Sequence, residues 1–400
     1  MWQLDVGEEH RRRDVFTVLA LLTLFAILVG VTVVGVAVNW PRHRTLEGQF
    51  RQPKTYLAHV VALRAAACQA SGASHCAIAT VKLAAGPDKG KRTSIRFGDT
   101  GTDARLSLGD AILVYKQQLP PTAQLGGVKV SPYAFSDFDR RGPLLWLLGA
   151  FALVVLLAGR FSGLRALVGM VASLSVVVFF VVPAITAGRP PVQVAAFGAL
   201  GVMLLTIPLV HGGGAKSLAA CLGTGVALLL TLGLADLFTS LAHLSGLTSE
   251  QLIYLQAETH VSVRGLLLAG MVIGSLGVLG DTTVTQASTV IALRRANPAL
   301  TWTGLVTHAT SVGRDHIAAT VNTLVLAYTG AALPILIVFS IGNTSFRSAV
   351  NSESVAEPIV ATLVGSIGLI AAVPLTTALA ALLALRLGDR QLGETHVHAH

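Results

Sequence analysis

The chain has 400 residues, of which 53% are hydrophobic and 12% are charged, and its mean hydropathy is +0.68. Soluble globular proteins carry about 25% charged residues, so this composition excludes an ordinary soluble enzyme and a disordered protein and indicates a polytopic membrane protein. The 29 Lys and Arg against 20 Asp and Glu give a net charge of +9. This excess fits basic loops on the cytoplasmic side of a membrane, and we expect no nucleic-acid partner.

The first predicted element is a membrane-spanning helix over residues 15–38. A hydrocarbon core about 30 Å thick needs about 20 apolar helical residues. This run is longer than the core of a signal peptide, lacks a cleavage site and follows His10 and three arginines at 11–13. We therefore expect residues 1–40 to form a cytoplasmic tip and an uncleaved signal-anchor helix, with the lipid bilayer as partner.

Residues 41–142 change to a polar composition with short β-rich runs separated by Gly, Asp and Pro. They predict a small extracytoplasmic all-β domain, barrel-like or sandwich-like, with strands at 60–63, 77–83, 93–97, 111–115 and 128–133. Leu108, Gly109 and Asp110 predict a turn that feeds the fourth strand. Cys68 and Cys76 predict a disulfide on the oxidising side of a membrane; the alternative is two unpaired buried thiols.

Residues 143–390 predict a seven-helix transmembrane domain. Its apolar runs lie at 144–158, 167–187, 192–210, 218–241, 262–279, 317–339 and 359–385. The whole chain is then an α-helical polytopic membrane protein with about eight transmembrane helices. Both termini are predicted to be cytoplasmic, because that orientation places most loop Lys and Arg inside. We expect it in the bacterial plasma (inner) membrane.

The C-terminal residues 391–400 predict a cytoplasmic tail in which His396, His398 and His400 alternate. Such imidazoles can hold a transition metal, but a solvated tail is the alternative, so a metal is left unassigned. The sequence has no H-E-x-x-H, no G-x-S-x-G and no Walker-type phosphate motif. We therefore expect no enzyme activity, no catalytic residue and no cofactor.

A glycine-rich helix leads into a polar run at residue 281. One helix face is predicted to pack closely against another helix and consists of Gly270, Gly274, Gly277 and Gly280. Asp281 follows, and the run through Thr285 and Gln286 is too polar to face lipid. We expect it to face protein or a water-filled cavity as a re-entrant helix or one broken at Gly280, or else to be a cytoplasmic loop beginning at Asp281.

A second polar stripe precedes the next span. Its members Thr303, Thr307, Ser311 and Asp315 recur every four residues, so a helix would place them on one face. Gly313 and Arg314 adjoin Asp315 at a membrane boundary. One hypothesis is structural, an ion pair between Arg314 and Asp281. The other is functional: Arg314 tunes the site or meets an anion, and a cation or proton is bound by oxygens of Asp281, Asp315, Thr285, Gln286, Thr320 and Asn322.

Residues 274–281, the Asn297-Pro298 pair and residues 313–330 resemble the YibE/F-like family of bacterial membrane proteins. The resemblance rests on a glycine-rich span that ends in Asp, a polar helix followed by Asn-Pro, and a Gly-Arg-Asp before a span that ends in Tyr and Gly. It implies an anchor, an extracytoplasmic β domain and a block of spans, with a transport role suggested. The matching family positions are Asp281, Gly313, Arg314, Asp315 and Asn322.

Two hypotheses about function result. The first is a transporter or channel for a small ion or solute, with protons or a cation as one option for coupling and a polar pathway around Asp281, Arg314, Asp315 and Asn322. The second is a non-transporting membrane scaffold whose extracytoplasmic β domain binds an envelope partner. A homo-oligomer is compatible with both.

Overall fold

The computed structural model of the chain describes residues 3–41, 53–66, 76–97, 106–117, 124–125, 128–129, 131–259 and 261–386. The chain divides into two compact units, one of residues 1–47 with 159–400 and the other of residues 48–158. Cys68 and the three tail histidines, His396, His398 and His400, lie outside the described residues. The Cys68–Cys76 disulfide and the metal-binding tail therefore stay predictions.

The protein is mostly helical. Its helices in the described residues are α1 (Gln3–Asn39), α2 (Arg141–Val176), α3 (Val182–Thr186), α4 (Pro191–His211), α5 (Ala215–Leu241), α6 (Glu250–Glu258), α7 (Val263–Ala296), α8 (Trp302–Ile341), α9 (Phe346–Asn351) and α10 (Glu353–Arg386). A π-helical turn, Val177–Val181, joins α2 to α3. Within the described ranges, seven segments are long and apolar enough to cross a membrane: α1 from Val15, the α2–α3 run, α4, α5, α7, α8 and α10.

The α2–α3 run accounts for the difference between the seven membrane-length segments of the structure and the eight spans predicted from the sequence. It holds 46 residues, which at about 1.5 Å per residue is about 69 Å, more than twice the thickness of a hydrocarbon core. The run is interrupted at Arg160, whose φ of 46° and ψ of −123° are not helical. The sequence counts two spans here, 144–158 and 167–187, and the structure joins them as one helical run with a break. The count of eight stays a prediction.

The β unit contains a five-stranded antiparallel sheet in the order β3-β2-β1-β4-β7. The strands are β1 (Thr55–Ala65), β2 (Ala77–Leu83), β3 (Arg92–Phe97), β4 (Ala111–Lys116) and β7 (Tyr133–Phe138); the two-residue β5 (Gln124–Leu125) and β6 (Val128–Lys129) pair separately. The sheet is curled, so that its two edge strands approach each other: the rings of Phe97 on β3 and Phe135 on β7 lie edge to face with centroids 4.8 Å apart. Val60, Val81 and Val114 are buried in its core.

The sequence predicts four of these strands close to their observed positions. The fifth, expected over 128–133, is wrong, because the strand that joins the sheet begins at Tyr133. The turn predicted before β4 is confirmed. Gly109 has a φ of 89°, which favours glycine, and its N–H donates to the Val60 carbonyl at 2.8 Å. The Asp110 carboxylate accepts from the Ser107 N–H at 2.7 Å.

One carboxylate fixes the turn between β2 and β3 to distant strands. Asp88 accepts hydrogen bonds from Lys91 (2.8 Å), Lys116 (2.9 Å) and the Tyr133 hydroxyl (2.7 Å). These donors, Lys91 first, hold the pKa of Asp88 well below its usual value. Burial, and then the hydrogen bond to Asp88, raise the pKa of Tyr133 to about 12. The turn is therefore bound to β4 and β7 as well as to its own hairpin.

The core of the helical unit lies where α5, α7 and α10 pack together. Small residues let these backbones approach closely: a side chain on Gly223 would overlap the Thr376 hydroxyl, and one on Gly368 would overlap the Thr231 hydroxyl. The first half of α8 joins this core through Leu305, Ala309 and Gly313. From Arg314 onward no α8 residue is fully buried, so the second half of that helix has little cover within the described chain.

Candidate functional site

α7 carries the first half of the predicted polar segment as one unbroken helix. The break predicted at Gly280 is wrong, and the loop predicted from Asp281 is helical. Packing explains this continuity, because Val284, Ala287 and Val290 of this stretch are buried in the helical core. The hydroxyls find partners within the helix: Thr283 Oγ1 donates to the Gly280 carbonyl at 3.1 Å, and Ser288 and Thr289 donate to carbonyls four residues back. Such bonds satisfy the hydroxyls, although by themselves they slightly destabilise a helix.

The inward face of α7 forms a buried polar junction with three other helices. Gln286 is only 3% exposed, and its Nε2 donates to the Ala309 carbonyl of α8 (2.8 Å) and to Thr377 Oγ1 of α10 (2.7 Å). Thr283, wholly buried, shares a 2.6 Å hydrogen bond with Thr224 of α5. Buried polar groups in an apolar core need such partners. The junction therefore holds α7 to α5, α8 and α10.

Gly313 lets α8 reach this junction. A Cβ at this position would lie 2.7 Å from Val373 Cγ1 and 2.9 Å from Gln286 Oε1, closer than real Cβ atoms come. The approach of α8 to α7 and α10 therefore requires a residue without a side chain. Two of the predicted site residues, Gln286 and Gly313, thus meet in the structure, where they hold helices together.

The outward side of the α7–α8 hairpin carries the other predicted site residues. Asp281, Thr285, Arg314, Asp315 and Asn322 are exposed, and Thr320 is partly exposed. On α7 the first two continue an exposed stripe formed by Gly270, Gly274 and Gly277.

The glycines of this stripe do not pack against another helix as predicted. A Cβ at Gly270, Gly277 or Gly280 would meet no atom within 4 Å, and at Gly274 it would meet the Tyr328 hydroxyl at 3.5 Å. Within the described residues the stripe is therefore a shallow groove. Close packing against another helix of the described chain is therefore wrong for Gly270, Gly277 and Gly280, while Gly274 lies within ordinary contact distance of Tyr328 on α8.

Asp281 and Arg314 do not form the ion pair of the structural hypothesis. Among the described residues, neither they nor Asp315 have an oppositely charged side chain within 4.0 Å. Asp281 does lie within electrostatic range of His211 at the end of α4. Its neighbour Thr282 lies 3.4 Å from Nε2 of His316 on α8. The two aspartates and the arginine are therefore left without direct neutralisation.

The predicted oxygen ligands do not share one environment. Gln286 is turned into the core, whereas Thr285, the adjacent residue, and Asp281 are exposed. Across the part of the chain that the structure describes, no group of three or more His, Cys, Asp or Glu side chains is placed to hold a metal ion. A site on this hairpin would therefore recruit water or the ligand itself to complete its coordination.

Sequence reasoning missed the partners of the hairpin and one acid. Thr224 is a single hydroxyl within an apolar span, and Thr377 belongs to the adjacent pair Thr376–Thr377; nothing in the sequence shows that Thr224 and Thr377 face α7. His316 lies in the stretch that carries the family resemblance, yet its contact with α7 depends on how the two helices pair. Glu357, inside α10, lines a cavity. An ionisable residue in a membrane-length helix is the signal that could have found it.

Comparison with known families gives one match. The profile described as YibE/F-like protein matches residues 147–386, which is 386 − 147 + 1 = 240 of the 400 residues. The match covers the α7–α8 hairpin and most of the membrane-length helices. No curated protein and no solved structure matches the chain significantly.

Proposed function

The chain belongs to the YibE/F-like family, and from this premise we propose that it moves a small ion or solute across a bacterial plasma membrane. Its membrane-length apolar helices make it a membrane protein. The pathway follows the outward side of the α7–α8 hairpin, around Asp281, Arg314, Asp315 and Asn322, and protons or a cation drive it. The proposal includes no catalytic step.

The observation that carries the proposal is the set of three unpaired ionisable side chains in membrane-length helices. Charged groups within such helices are costly unless they are paired, hydrated or bound by a ligand. Asp281, Arg314 and Asp315 have no ion-pair partner among the described residues. Water at the membrane boundary or a passing ion must therefore meet these charges, which is the arrangement expected at the mouth of a transport pathway.

Helix geometry supports placing these three charges at the same depth in the membrane. Asp281 lies 18 residues after Val263, about 27 Å along α7, which is close to the thickness of a hydrocarbon core. The contact between Thr282 and His316 brings Arg314 and Asp315 to a similar height on α8. With Val263 at the outer boundary, the three charges lie at the cytoplasmic boundary and form the mouth of the pathway.

A groove leads from this mouth across the membrane. Gly277, Gly274 and Gly270 keep its floor free of side chains, and Asn322 lies two helical turns beyond Asp315 on α8. The open side of such a groove needs cover in a bilayer, and we propose a homo-oligomer for it. Gly277→Cys on the floor of the groove, where a Cβ meets no atom within 4 Å, should then cross-link two copies in the membrane, whereas Leu229→Cys at an exposed position on α5 should not.

Reconstituted vesicles test the transport proposal. Proton influx is followed with trapped pyranine under a potassium diffusion potential, and cation uptake with ²²Na⁺. We expect flux above protein-free vesicles for at least one of these ions, and a loss of at least tenfold in Asp281→Asn and Asp315→Asn. Asp236→Asn is the control, because Asp236 pairs with Arg264 at an exposed surface (3.1 Å). Unchanged flux in both test variants would contradict the proposal.

We also propose eight spans, with both termini in the cytoplasm and the β unit outside. The break at Arg160 supports two spans in the α2–α3 run, since each part is then close to the length a bilayer needs. Reporter fusions after residues 139, 188 and 297 test this arrangement. Alkaline phosphatase should be active only in the first two fusions, and activity after residue 297 would contradict it.

The scaffold hypothesis remains a second candidate, because the β unit has its own core and its own closing hydrogen bonds. Such a unit can bind an envelope partner independently of the membrane helices. Deleting residues 41–142 distinguishes the two hypotheses. Transport predicts residual flux that still depends on Asp281, whereas the scaffold predicts loss of all function with silent Asp281 and Asp315 variants.

A further inference from the structure

A cavity of about 280 Å³ lies in the helical unit, away from the three charges of the hairpin. Its walls come from α7, α10, Tyr328 of α8 and the segment that follows α5. Most of the lining is aliphatic, with Leu266, Leu267 and Met271 among the residues that form it. The polar side chains in the wall are Glu357 and Tyr328. The cavity therefore combines an apolar interior with one carboxylate and one phenol.

The charge of Glu357 is not neutralised within the described chain. The Thr248 side chain lies near its carboxylate, but no described Lys, Arg or His lies within ion-pair distance. A carboxylate has about four lone-pair positions, so one hydroxyl leaves most of its capacity free. A partly buried carboxylate without a cation is costly, and a ligand that brings a positive charge removes that cost.

The neighbouring acid, Glu353, has its carboxylate satisfied by hydrogen bonds at the start of α10. Glu353, one helical turn earlier, accepts from the Gly246 N–H (2.6 Å) and from the Ser245 hydroxyl (2.9 Å). It thereby fixes the segment after α5 to the start of α10. Glu353 is not among the residues that line the cavity. The two glutamates therefore differ: one holds backbone, and the other is available to a ligand.

We propose that this cavity binds a small organic cation, an ammonium with a compact apolar body. The ammonium meets Glu357, the Tyr328 ring offers a face for a cation–π contact, and the aliphatic wall covers the apolar part. The volume is at the low end for ligand pockets, which range over about 300–1,000 Å³, so the ligand is smaller than most drugs. An anion would be repelled, and a neutral ligand would leave Glu357 unpaired.

The cavity adjoins the groove of the proposed pathway. Gly270 lines the cavity, and the Tyr328 hydroxyl lies 3.5 Å from the position that a Gly274 Cβ would take. From Gly270 to Asp281 is about 16 Å along α7. As a statement about the transported substrate, the inference rests on the proposed function; as a binding site, it stands alone.

Calorimetric titration of the purified full-length protein in detergent tests the site with benzylammonium as the probe. Benzyl alcohol is the neutral isostere and benzoate the anion. We expect saturable binding of benzylammonium, at least tenfold weaker binding of benzyl alcohol and no binding of benzoate. Equal affinity for benzyl alcohol, or no binding of benzylammonium, overturns the proposal.

Two variants locate the binding. Glu357→Gln keeps the size of the side chain and should weaken benzylammonium binding at least tenfold. Gly270→Leu should fill the cavity without touching the carboxylate, because a Cβ there meets no atom within 4 Å, and it should weaken binding to a similar degree. Asp236→Asn is the control and should bind as the wild type does. Wild-type affinity in both test variants overturns the proposal, and the second variant decides if the first fails to fold.

Lipid nanodiscs separate a soluble cation from a lipid headgroup as the source of the ammonium. Benzylammonium binding is measured in phosphatidylethanolamine discs and in phosphatidylglycerol discs. Binding at least tenfold weaker in phosphatidylethanolamine means that this headgroup competes for the site and is its ligand. Equal binding in the two kinds of disc assigns the site to a soluble cation. Binding by Asp281→Asn at wild-type affinity with lost flux supports both proposals. Flux without benzylammonium binding overturns the cavity inference alone, and binding without flux overturns the transport proposal alone.

Discussion

The two faces of α7 use similar residues for opposite purposes. On the inward face Thr283 and Gln286 are buried, and each reaches a partner on another helix. On the outward face Asp281, two positions before Thr283, and Thr285, one position before Gln286, are exposed. Rotations of about 200° and 100° around one helix thus separate polar groups that hold the fold from polar groups that remain available to water or an ion.

The largest expected effect is on transport through the outward face. Replacing Asp281 or Asp315 by Asn removes a charge without changing size, so we expect at least a tenfold loss of ion flux in reconstituted vesicles. The apparent unfolding temperature in detergent should stay unchanged, because neither carboxylate has an ion-pair partner among the described residues to lose. If Asp281→Asn lowered the unfolding temperature enough to account for the lost flux, Asp281 would have a structural role instead.

The inward face should respond in the reverse way. Gln286→Leu removes the hydrogen bonds to the Thr377 hydroxyl and to the Ala309 carbonyl, and each such bond contributes about 0.5–1.5 kcal/mol. Thermal unfolding in detergent measures this loss. The matched control is Thr285→Val on the outward face, which should change stability by less than about 0.5 kcal/mol. Equal effects of the two substitutions would mean that the two faces do not differ.

Two glycines sharpen the comparison at the level of a single methyl group. Gly313→Ala places a Cβ against Val373 and Gln286, and overpacking of this kind costs about 1–3 kcal/mol. Gly277→Ala places one in open space and should stabilise the helix by about 0.5–1 kcal/mol. Unfolding temperatures should therefore move in opposite directions. This expectation applies to monomers dispersed in detergent, in which no second copy covers the groove, and a loss of stability in Gly277→Ala there would contradict the open floor at Gly277.

The smallest expected effect concerns Asp88 in the β unit, whose carboxylate accepts three hydrogen bonds. The folded-state pKa of Asp88 is depressed, so its pairing contributes stability above the usual carboxyl value of 3.8, and this contribution is lost as the pH falls through the folded-state value. Asp88→Asn should therefore weaken the sheet modestly at pH 5 to 7, with the difference shrinking below about pH 3.8. Hydrogen exchange of β2, β3 and β7 peptides, corrected for intrinsic rates, measures this. A difference that grows in acid would contradict the assignment.

Patterns that act along the chain were predictable from the sequence. Apolar length located the membrane helices, and turn residues around Gly109 located the start of β4. The stripe of Gly270, Gly274 and Gly277 was visible as well. Its meaning was not, since the same spacing describes a packed face and an open groove. Which of the two applies depends on where the neighbouring helix lies.

Features that depend on contacts across the chain were not predictable. The hydrogen bond between Thr224 and Thr283 joins residues 59 positions apart; Thr224 does not stand out in its apolar span, and Thr283 is one of several hydroxyls in its polar run. Gly280 suggested a break because the sequence does not show that the residues on either side of it, Leu279 and Val284, pack into one core. Glu357 was overlooked because the polar run after Asp281 was the more conspicuous signal. Single polar residues in apolar helices need the fold before their role can be assigned.

The hydrogen-bond partners of Asp88 are synthesised at different times, which limits when the sheet can close. Lys116 follows Asp88 by 28 residues and Tyr133 by 45 residues. At a synthesis rate of about 5–20 residues per second, the ribosome needs about 2–9 s to make the stretch from Asp88 to Tyr133. During that interval the hairpin of β2 and β3 exists without the strand that closes the sheet, and its acid has Lys91 as its partner within the hairpin. The newly made domain is therefore most open to chaperones, proteases and mispairing just before the chain begins its second apolar run.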